Sequence, residues 1–383
     1  MRVPFFDPTR SAASLEADLT EAFVRVLRSG RYILCPEVEE LEAACGRMLG
    51  APYTIGVSSC TDALLSSMMA LGLRPGDEVI CPSYTFFSTA GSIARLGARP
   101  VFADILPGSF TLDPADVARR VTPRTVGIIA VHLFGLPADM ASLLDIARRS
   151  GLWLIEDCAQ AMGADIGDRR AGTLGTLGCF SFFPTKNLGG FGDGGLVATA
   201  DADLARRVRA LRGHGAEAKH NHQIVGGNFR IDALHAALLL VKLTKTFDAD
   251  LDRRRKNAAL YDAILTRSGL AAPPGSSPNA PGEPEFPIAL GDRPPGHTFN
   301  QYVIRVRGDG ARDRLRQSLA ERGVGTEIYY PVPLHLQPAF APLGGSPGDL
   351  PVTEAAARES LALPIFPELS ETEIRAVAQF IRT

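Results

Sequence analysis

A carboxylate and an amine stand at the ends of two apolar segments of this 383-residue chain. Residues 153–157 read Trp-Leu-Ile-Glu-Asp, so Asp157 closes a run that predicts a buried strand. Residues 180–186 read Phe-Ser-Phe-Phe-Pro-Thr-Lys, which places Lys186 in a sequence with too little polar character for a surface loop. Because desolvation lowers the pKa of an ammonium group, such a lysine can act as a Schiff-base nucleophile. A carboxylate that keeps a pyridinium nitrogen protonated and a lysine of this kind are the two groups that pyridoxal phosphate requires.

Two further segments offer groups for the phosphate and the ring of such a cofactor. Residues 58–62 read Ser-Ser-Cys-Thr-Asp between a predicted strand and a predicted helix, where backbone N–H groups and the Thr61 hydroxyl would bind a dianion. Ser181 is a further phosphate donor, and Phe86 can lie over the face of the pyridine ring. Each of these residues, and Asp157 as well, also has an ordinary structural explanation as a helix cap, a loop partner or a core residue.

The elements that must position these groups follow from short apolar runs that alternate with helical patterns between residues 53 and 198. This rhythm predicts the α/β class, with a mostly parallel central sheet covered by helices on both faces. A ligand site then lies beyond the carboxyl ends of the strands. The predicted strands cover residues 53–57, 78–81, 100–103, 126–132, 152–155 and 179–182, and the clearest helices cover residues 62–71, with Thr61 introducing it, and 140–150.

The C-terminal third has a different organisation. Residues 233–243 and 253–267 predict helices, and the second carries the chain out of the large domain. Residues 271–296 are rich in proline and glycine and predict an extended loop. We therefore expect a large cofactor-binding domain over residues 1–250, with an N-terminal helical segment, and a smaller α+β domain over residues 251–383. In the second domain, a strand is predicted at residues 302–306 and helices at residues 312–322 and 372–381.

The composition favours a small-molecule ligand. Hydrophobic residues make up 45% of the chain and charged residues 21%, and the formal net charge is -2, without blocks of one sign. This pattern predicts no nucleic-acid partner and no membrane partner. The N-terminus lacks the apolar core of a signal peptide, and Lys242 interrupts the longest apolar stretch, so we expect a cytoplasmic protein. Six cysteines without a C-x-x-C pair predict neither a metal site nor a disulfide framework.

With these segments in this order, the chain resembles the DegT-type (DegT/DnrJ/StrS) nucleotide-sugar aminotransferases, which are fold-type-I pyridoxal-phosphate enzymes. The likeness runs from residues 30–34, Gly-Arg-Tyr-Ile-Leu, almost to the C-terminus. Cys60 departs from the family, which usually has glycine at this position. The resemblance implies Asp157 on the ring nitrogen, Gln160 near the ring oxygen, Phe86 on the ring face, Lys186 as the Schiff-base lysine, and Cys60, Thr61 and Ser181 on the phosphate.

The resemblance also implies a homodimer with shared active sites. Residues 226–233, Gly-Gly-Asn-Phe-Arg-Ile-Asp-Ala, match the family segment whose asparagine reaches the phosphate across the dimer interface. In this chain that asparagine is Asn228. Without the resemblance, Asn228 would be only a loop residue.

The reaction that the resemblance implies is the transfer of an amino group from glutamate to a nucleotide-linked keto-sugar. Residues 325–337 carry Tyr329, Tyr330 and His335 on a segment that two prolines hold extended, so these side chains either contact the sugar or pack the small domain. Their Tyr-Pro-x-Pro-x-His-x-Gln pattern resembles the family branch that acts on 3-keto sugars. We therefore expect a UDP- or dTDP-linked 3-keto sugar, with a 4-keto sugar as the alternative.

Two other functions remain open at this point. The sugar dehydratases of the same family resemble this chain but have histidine where Lys186 stands, so Lys186 argues against that reaction. A regulatory or binding protein without turnover is the second possibility. A helix-turn-helix extension would support it, and the short N-terminus is expected to leave no room for one.

Overall fold

A central seven-stranded sheet organises the larger part of the chain. The computed structural model describes residues 2–218, 220–272 and 287–382. Their strands are β1 Tyr53–Val57, β2 Glu78–Pro82, β3 Arg99–Ala103, β4 Thr125–Val131, β5 Trp153–Asp157, β6 Asp165–Ile166, β7 Arg169–Arg170, β8 Leu177–Ser181, β9 Gly195–Thr199, β10 Ala216–Ala218, β11 Asn221–His222, β12 Ile288–Leu290, β13 Tyr302–Val306 and β14 Ser360–Leu363.

Helices cover this sheet and build most of the second domain. No helix among the described residues is long and apolar enough to cross a membrane. The α-helices are α1 Pro8–Ser29, α2 Pro36–Leu49, α3 Cys60–Ala70, α4 Phe87–Arg95, α5 Pro114–Arg120, α6 Met140–Ser150, α7 Ala202–Arg212, α8 Ala233–Lys245, α9 Phe247–Arg267, α10 Ala311–Glu321, α11 Pro351–Glu359 and α12 Glu371–Arg382, with 3-10 turns at Leu133–Gly135, Leu334–Leu336 and Pro338–Leu343.

The large sheet has the order β1-β9-β8-β5-β4-β2-β3 and confirms the predicted α/β class. Neighbours from β8 through β3 pair in parallel, whereas β9 is antiparallel to both β8 and β1. The sequence pattern did not predict β9, which begins at Gly195. A Cβ atom at Gly195 would lie 2.5 Å from the backbone of Ser59. Only glycine therefore allows this strand to pass so close to the start of α3.

Two helices of the large domain show why the predicted boundaries hold or shift. α6 matches the predicted residues 140–150, because Asp139 caps its first turn and Gly151 ends it in the left-handed conformation, with φ of 66°. α3 begins earlier than predicted. The cap is Ser59, whose side chain accepts a hydrogen bond from the Asp62 N–H, and not Thr61.

The second domain is an α+β unit in which β12, β13 and β14 form an antiparallel sheet beside α9, α10 and α12. Its core also includes Val3, which exchanges backbone hydrogen bonds with Gly323 and Gly325. α9 runs across residue 250 without a break, so the division of the chain at that residue stays a proposal. Most of the predicted loop at residues 271–296 lies outside the described residues.

Candidate active site

Nine of the predicted site residues line one cavity of about 700 Å³, which we call the front cavity. Asp157 ends β5 and Ser181 ends β8, so the cavity lies beyond the carboxyl ends of the parallel strands, as predicted. Residues from the second domain close it. The nine residues are Cys60, Thr61, Phe86, Asp157, Gln160, Ser181, Lys186, Tyr329 and Tyr330.

Asp157 is a buried carboxylate, 4% exposed, that a chain of hydroxyl groups holds in place. Its Oδ1 accepts a hydrogen bond from the Ala159 N–H at 3.1 Å, and its Oδ2 accepts one from the Thr89 hydroxyl at 3.0 Å. Since the Thr89 hydroxyl donates its only proton to Asp157, the Thr85 hydroxyl must be the donor in the 3.2 Å contact between the two threonines. Burial raises the pKa of Asp157, and the hydrogen bonds from Ala159 and Thr89 oppose this rise.

Glu156, the neighbour of Asp157 on β5, points to the opposite face of the sheet and serves the structure instead. Its carboxylate accepts hydrogen bonds from the backbone N–H groups of Gly172, Leu174 and Gly175. It also contacts His132, whose Nδ1 already accepts from the Ala138 N–H, so His132 must donate to Glu156 through Nε2 at 2.9 Å. All its lone pairs are therefore engaged away from the front cavity.

Lys186 follows β8 through a tight turn in which its N–H donates to the Phe183 carbonyl at 2.9 Å. Burial lowers the pKa of the Lys186 amine below its ordinary value, while the Asp157 carboxylate acts in the opposite direction. An amine with a lowered pKa is available as a neutral nucleophile and base at a higher fraction than an exposed lysine. This is the property predicted from its apolar sequence.

The glycine-rich loop after Lys186 is held by two side chains of α8, which sequence reasoning did not identify. The His235 Nε2 accepts from the Phe191 N–H at 3.1 Å, so its Nδ1 must donate to the Asp193 carbonyl at 2.9 Å. Lys242 donates to the Gly189 carbonyl. A side chain at Gly190 would collide with the His235 ring. The close packing of histidine against glycine leaves no local sequence signal.

The N-terminus of α3 offers donor groups at the predicted anion site. The N–H groups of Cys60 and Thr61 lie in its first turn and have no partner within the helix. The Ser181 hydroxyl accepts from the Phe183 N–H at 3.2 Å, which leaves its own proton free to donate into the cavity. Ser59 instead caps the helix, and its hydroxyl contacts the Asp62 carboxylate.

Gln160 and Tyr330 form a contact between the two domains within the cavity wall. The Gln160 Oε1 accepts from the Phe134 N–H at 2.6 Å, and its Nε2 donates to the Tyr330 hydroxyl at 3.0 Å. Phe134 and Tyr330 both adopt left-handed backbone conformations, with φ of 60° and 55°. Such conformations persist in non-glycine residues only where the surroundings enforce them. Together these contacts orient the Gln160 amide, with its oxygen toward the Phe134 N–H and its nitrogen toward the Tyr330 hydroxyl.

Two aromatic residues and an acid complete the wall. Phe86 caps α4, and 60% of its surface is exposed to the cavity and solvent. Phe5 and Glu327 also line the front cavity, and the Phe5 ring lies 6.3 Å from that of Tyr329. Sequence reasoning missed Phe5, because only the docking of the N-terminal segment onto the second domain brings it to the site.

His335 does not line the front cavity, so its predicted contact with the substrate stays a prediction. The 3-10 turn Leu334–Leu336 directs its side chain into the protein, where it is 3% exposed. Its N–H and Nδ1 contact the Ser83 hydroxyl at 3.0 and 2.7 Å, and its Nε2 lies 3.4 Å from Glu354. The histidine therefore fixes the segment that carries Tyr329 and Tyr330.

Asn228 is exposed and lies outside the front cavity of its own chain. It is nevertheless close to the anion site, since the neighbouring Phe229 carbonyl accepts from the Ser58 N–H at 2.9 Å and Arg230 bridges to Val57. An exposed position beside this site is compatible with the predicted contact to a second copy of the chain.

These groups fit pyridoxal phosphate. The ring nitrogen of the cofactor needs a buried carboxylate, its carbonyl carbon needs an amine, and its phosphate needs amide and hydroxyl donors. The front cavity presents Asp157, Lys186 and the α3 N-terminus with Thr61 and Ser181. Together with the mostly parallel sheet, they define a fold-type-I pyridoxal-phosphate enzyme.

The chain belongs to the DegT/DnrJ/EryC1/StrS aminotransferase family, whose profile matches residues 13–382. Aminotransferases of this family depend on pyridoxal phosphate. A protein of Geobacillus stearothermophilus named pleiotropic regulatory protein is 43% identical, over 100% of this chain and 99% of its own. The UDP-N-acetyl-3-dehydro-alpha-D-glucosamine 3-aminotransferase of Acidithiobacillus ferrooxidans is 38% identical, over 99% of this chain and 97% of its own.

A solved structure agrees with this assignment over the whole chain. S. venezuelae DesV, crystallised in complex with a ketimine intermediate, is similar with a TM-score of 0.91 and 40% sequence identity. The match covers 100% of this chain and 98% of that chain. The fold prediction is therefore confirmed by structure as well as by sequence.

Proposed function

We propose that the front cavity transfers an amino group from glutamate to a nucleotide-linked 3-keto sugar. The observation that carries this proposal is that Asp157, at the end of β5, and Lys186, in the turn after β8, line one cavity together with the N-terminus of α3. When bound there, pyridoxal phosphate supplies an electron sink for the carbanion that forms at the donor α-carbon. A cytoplasmic location is part of the proposal, because nucleotide-linked sugars are the expected substrates.

Lys186 and Asp157 are assigned the two central roles. Lys186 would hold the cofactor at its carbonyl carbon, and its Nζ would move a proton between the donor α-carbon and that cofactor carbon. The Asp157 carboxylate keeps the ring nitrogen protonated, and the Thr85–Thr89 hydroxyl chain and the Ala159 N–H orient it.

Other residues of the cavity bind and orient. Cys60, through its backbone N–H, and the hydroxyls of Thr61 and Ser181 are assigned to the phosphate. Gln160 is assigned to the ring oxygen, since the Phe134 N–H and the Tyr330 hydroxyl fix its amide. Phe86 is assigned to the ring face.

We further propose a homodimer in which Asn228 reaches the phosphate site of the partner subunit. The support is its exposed position beside the α3 N-terminus, together with exposed apolar residues on neighbouring segments. Ile33, 56% exposed, bridges to Asp232, and Val225 is 89% exposed. Apolar side chains with this degree of exposure are typical of a surface that another chain covers.

Tyr329 and Tyr330 are assigned to the sugar end of the cavity. They line it from the second domain, and they stand on the segment whose pattern predicts a 3-keto substrate. The Acidithiobacillus relative, named for a UDP-linked 3-keto sugar, supports this choice. UDP and dTDP both remain candidates for the nucleotide, and a 4-keto sugar is the alternative.

The relative named as a pleiotropic regulatory protein raises a second possible function. A regulator without turnover would not need Asp157, Lys186 and the anion site in one cavity, and this chain retains all three. Lys186 likewise argues against the dehydratase reaction. We therefore favour catalysis.

Two assays test the proposal in sequence. The purified protein should be yellow and should lose this colour with glutamate alone, and borohydride should fix the cofactor to a peptide that contains Lys186. UDP-, dTDP- and GDP-linked 3-keto and 4-keto sugars are then offered, and NMR locates the new amine. A cofactor-loaded protein that does not bleach with glutamate would support the regulator, and amination of 4-keto sugars alone would overturn the 3-keto assignment.

A further inference from the structure

A second cavity of about 240 Å³ lies behind Lys186, and we call it the rear cavity. Its wall combines the first turns of α1, among them Ala12, with Asn187 after the lysine and with Lys242 and Arg254 from α8 and α9. Among the residues lining the two cavities, Lys186 is the one that they share. The lysine assigned to catalysis therefore forms part of the partition between them.

The rear cavity is large enough and polar enough to hold water. Arg254 is 2% exposed and donates through Nη1 to the carbonyls of Phe299, Asn300 and Ile365, but its Nε has no partner in residues 2–218, 220–272 and 287–382. The buried Oδ1 of Asn187 also has none in these ranges. The cavity volume far exceeds the roughly 10–15 Å³ that one water needs.

Charged groups line the rear cavity and make it polar. Lys242 donates to the Gly189 carbonyl and lies over the ring of Phe191, which is 50% exposed. Asp250 and Glu368 add two carboxylates to the wall. Burial and the nearby Asp250 raise the pKa of Glu368, so it can exchange protons nearer neutral pH than an ordinary glutamate.

We propose that the rear cavity is a water-filled proton-exchange site for the Lys186 amine. The proposal rests on the role of Lys186 in the proposed function. When Nζ accepts a proton from the donor α-carbon, it becomes an ammonium group with three protons. One of these passes to a water in the rear cavity and a solvent proton returns, so the amine and the water keep their charge and no other reactant is needed.

The front cavity is poorly placed to provide this exchange during turnover. Cofactor, amino donor and sugar nucleotide all enter from that side, and aromatic side chains such as Phe86 and Tyr329 line it. Water on that side is displaced when the substrates bind. The rear cavity keeps its solvent on the opposite side of the lysine.

Ala12→Leu tests the proposal by filling the rear cavity with three additional carbon atoms. Ala13→Leu is the matched control, because Ala13 is exposed and does not line the cavity. Each holoenzyme is given glutamate deuterated at the α-carbon for a single turnover. Mass spectrometry then measures the deuterium retained in the pyridoxamine phosphate. We expect the retained fraction to rise about twofold or more in Ala12→Leu, relative to both wild type and Ala13→Leu.

Several outcomes would overturn the proposal. Equal retention in the three proteins, or complete retention in the wild type, would show that the rear cavity does not exchange protons with Lys186. If Ala12→Leu fails to fold, Ser11→Leu fills the same cavity from the adjacent position. Absence of any turnover with glutamate would instead contradict the proposed donor.

A second measurement does not depend on the donor. In protein labelled with ¹⁵N at the lysine Nζ atoms and loaded with pyridoxamine phosphate, NMR reports how fast the Lys186 amine protons exchange with water. This exchange should slow in Ala12→Leu and stay unchanged in Ala13→Leu. Exchange at the wild-type rate in Ala12→Leu would contradict the rear-cavity proposal even if the proposed function were correct.

Discussion

At the scale of single residues, Asp157 and Glu156 show how one strand separates a chemical role from a structural one. Both carboxylates are buried, but only Asp157 lines the front cavity. Burial alone would raise the pKa of Glu156. Hydrogen bonds from His132 and from backbone N–H groups lower this pKa below its ordinary value. The alternation of side chains along β5 therefore decides which acid faces the front cavity.

We predict that Asp157→Asn keeps the fold but slows the half-reaction with glutamate by about 100-fold or more, since an amide cannot hold the ring nitrogen protonated. Stopped-flow absorbance measures this rate. The matched variant is Glu156→Gln, which should lower the free energy of unfolding by about 1–3 kcal/mol, because an N–H₂ group then faces backbone donors. A wild-type half-reaction in Asp157→Asn would transfer the role to another carboxylate.

His335 gives a second prediction at this scale. Because its ring is buried against Ser83 and Glu354, His335→Ala should lower the free energy of unfolding by about 1–3 kcal/mol. The glutamate half-reaction should stay near the wild-type rate, and any rise in the sugar KM should be matched by Ser83→Ala, which frees the same segment. Urea denaturation and steady-state kinetics measure these effects. A raised sugar KM in His335→Ala alone, with unchanged stability, would support the substrate role.

At the scale of elements, α1 and α12 are joined by an ion pair that couples the two ends of the chain. Glu373 closes a capping box at the start of α12, in which the Ser370 backbone N–H donates to the Glu373 carboxylate and the Glu373 backbone N–H donates to the Ser370 hydroxyl. Arg10, in the first turns of α1, binds the same carboxylate through two nitrogens, at 3.0 and 2.8 Å. Hydrogen bonds from Arg10 lower the pKa of Glu373 to about 2.

We predict that Arg10→Ala lowers the free energy of unfolding by about 1–2 kcal/mol at neutral pH, because Arg10 is 32% exposed and solvent weakens the pair. The folded-state pKa of Glu373 lies below its ordinary value of 4.5, so the ionised carboxylate contributes its full stability above that pH. The difference between wild type and variant should shrink as the pH falls from 4.5 toward 2. Urea denaturation across this range measures it, and a constant difference would contradict the assignment.

Sequence predicted the elements whose signals are local. α6 has an aspartate cap and a terminal glycine, and β13 is a short apolar run, so both were placed to the residue. β9 was missed because its identity depends on packing against β1 and β8 at opposite edges. The hydrogen bond between His235 and the loop after Lys186 was missed for the same reason, because it joins segments that are far apart in the chain. Such contacts produce no periodic pattern in the amino-acid sequence.

At the scale of the whole molecule, the front cavity contains every group that we assign to the cofactor ring but few cations for the cofactor phosphate. Lys186 is the one basic residue among those lining it. A dianion there depends on N–H groups and hydroxyls from one chain, so an additional donor from a second chain would strengthen its binding. The apolar residues near Asn228, with Val225 89% exposed, mark where that chain would dock.

We predict that Lys186→Ala and Asn228→Asp, each nearly inactive alone, regain activity when they are unfolded together and re-associated. If Asn228 serves the partner's site, a mixed dimer has one site with both residues intact. Random pairing makes half of all dimers mixed, so about a quarter of the wild-type activity should return. If Asn228 instead served its own chain, every site in the mixed dimer would lack one residue and no activity would return. The expected recovery therefore distinguishes a shared site from two independent ones, and sedimentation of the same samples separates both from a monomer.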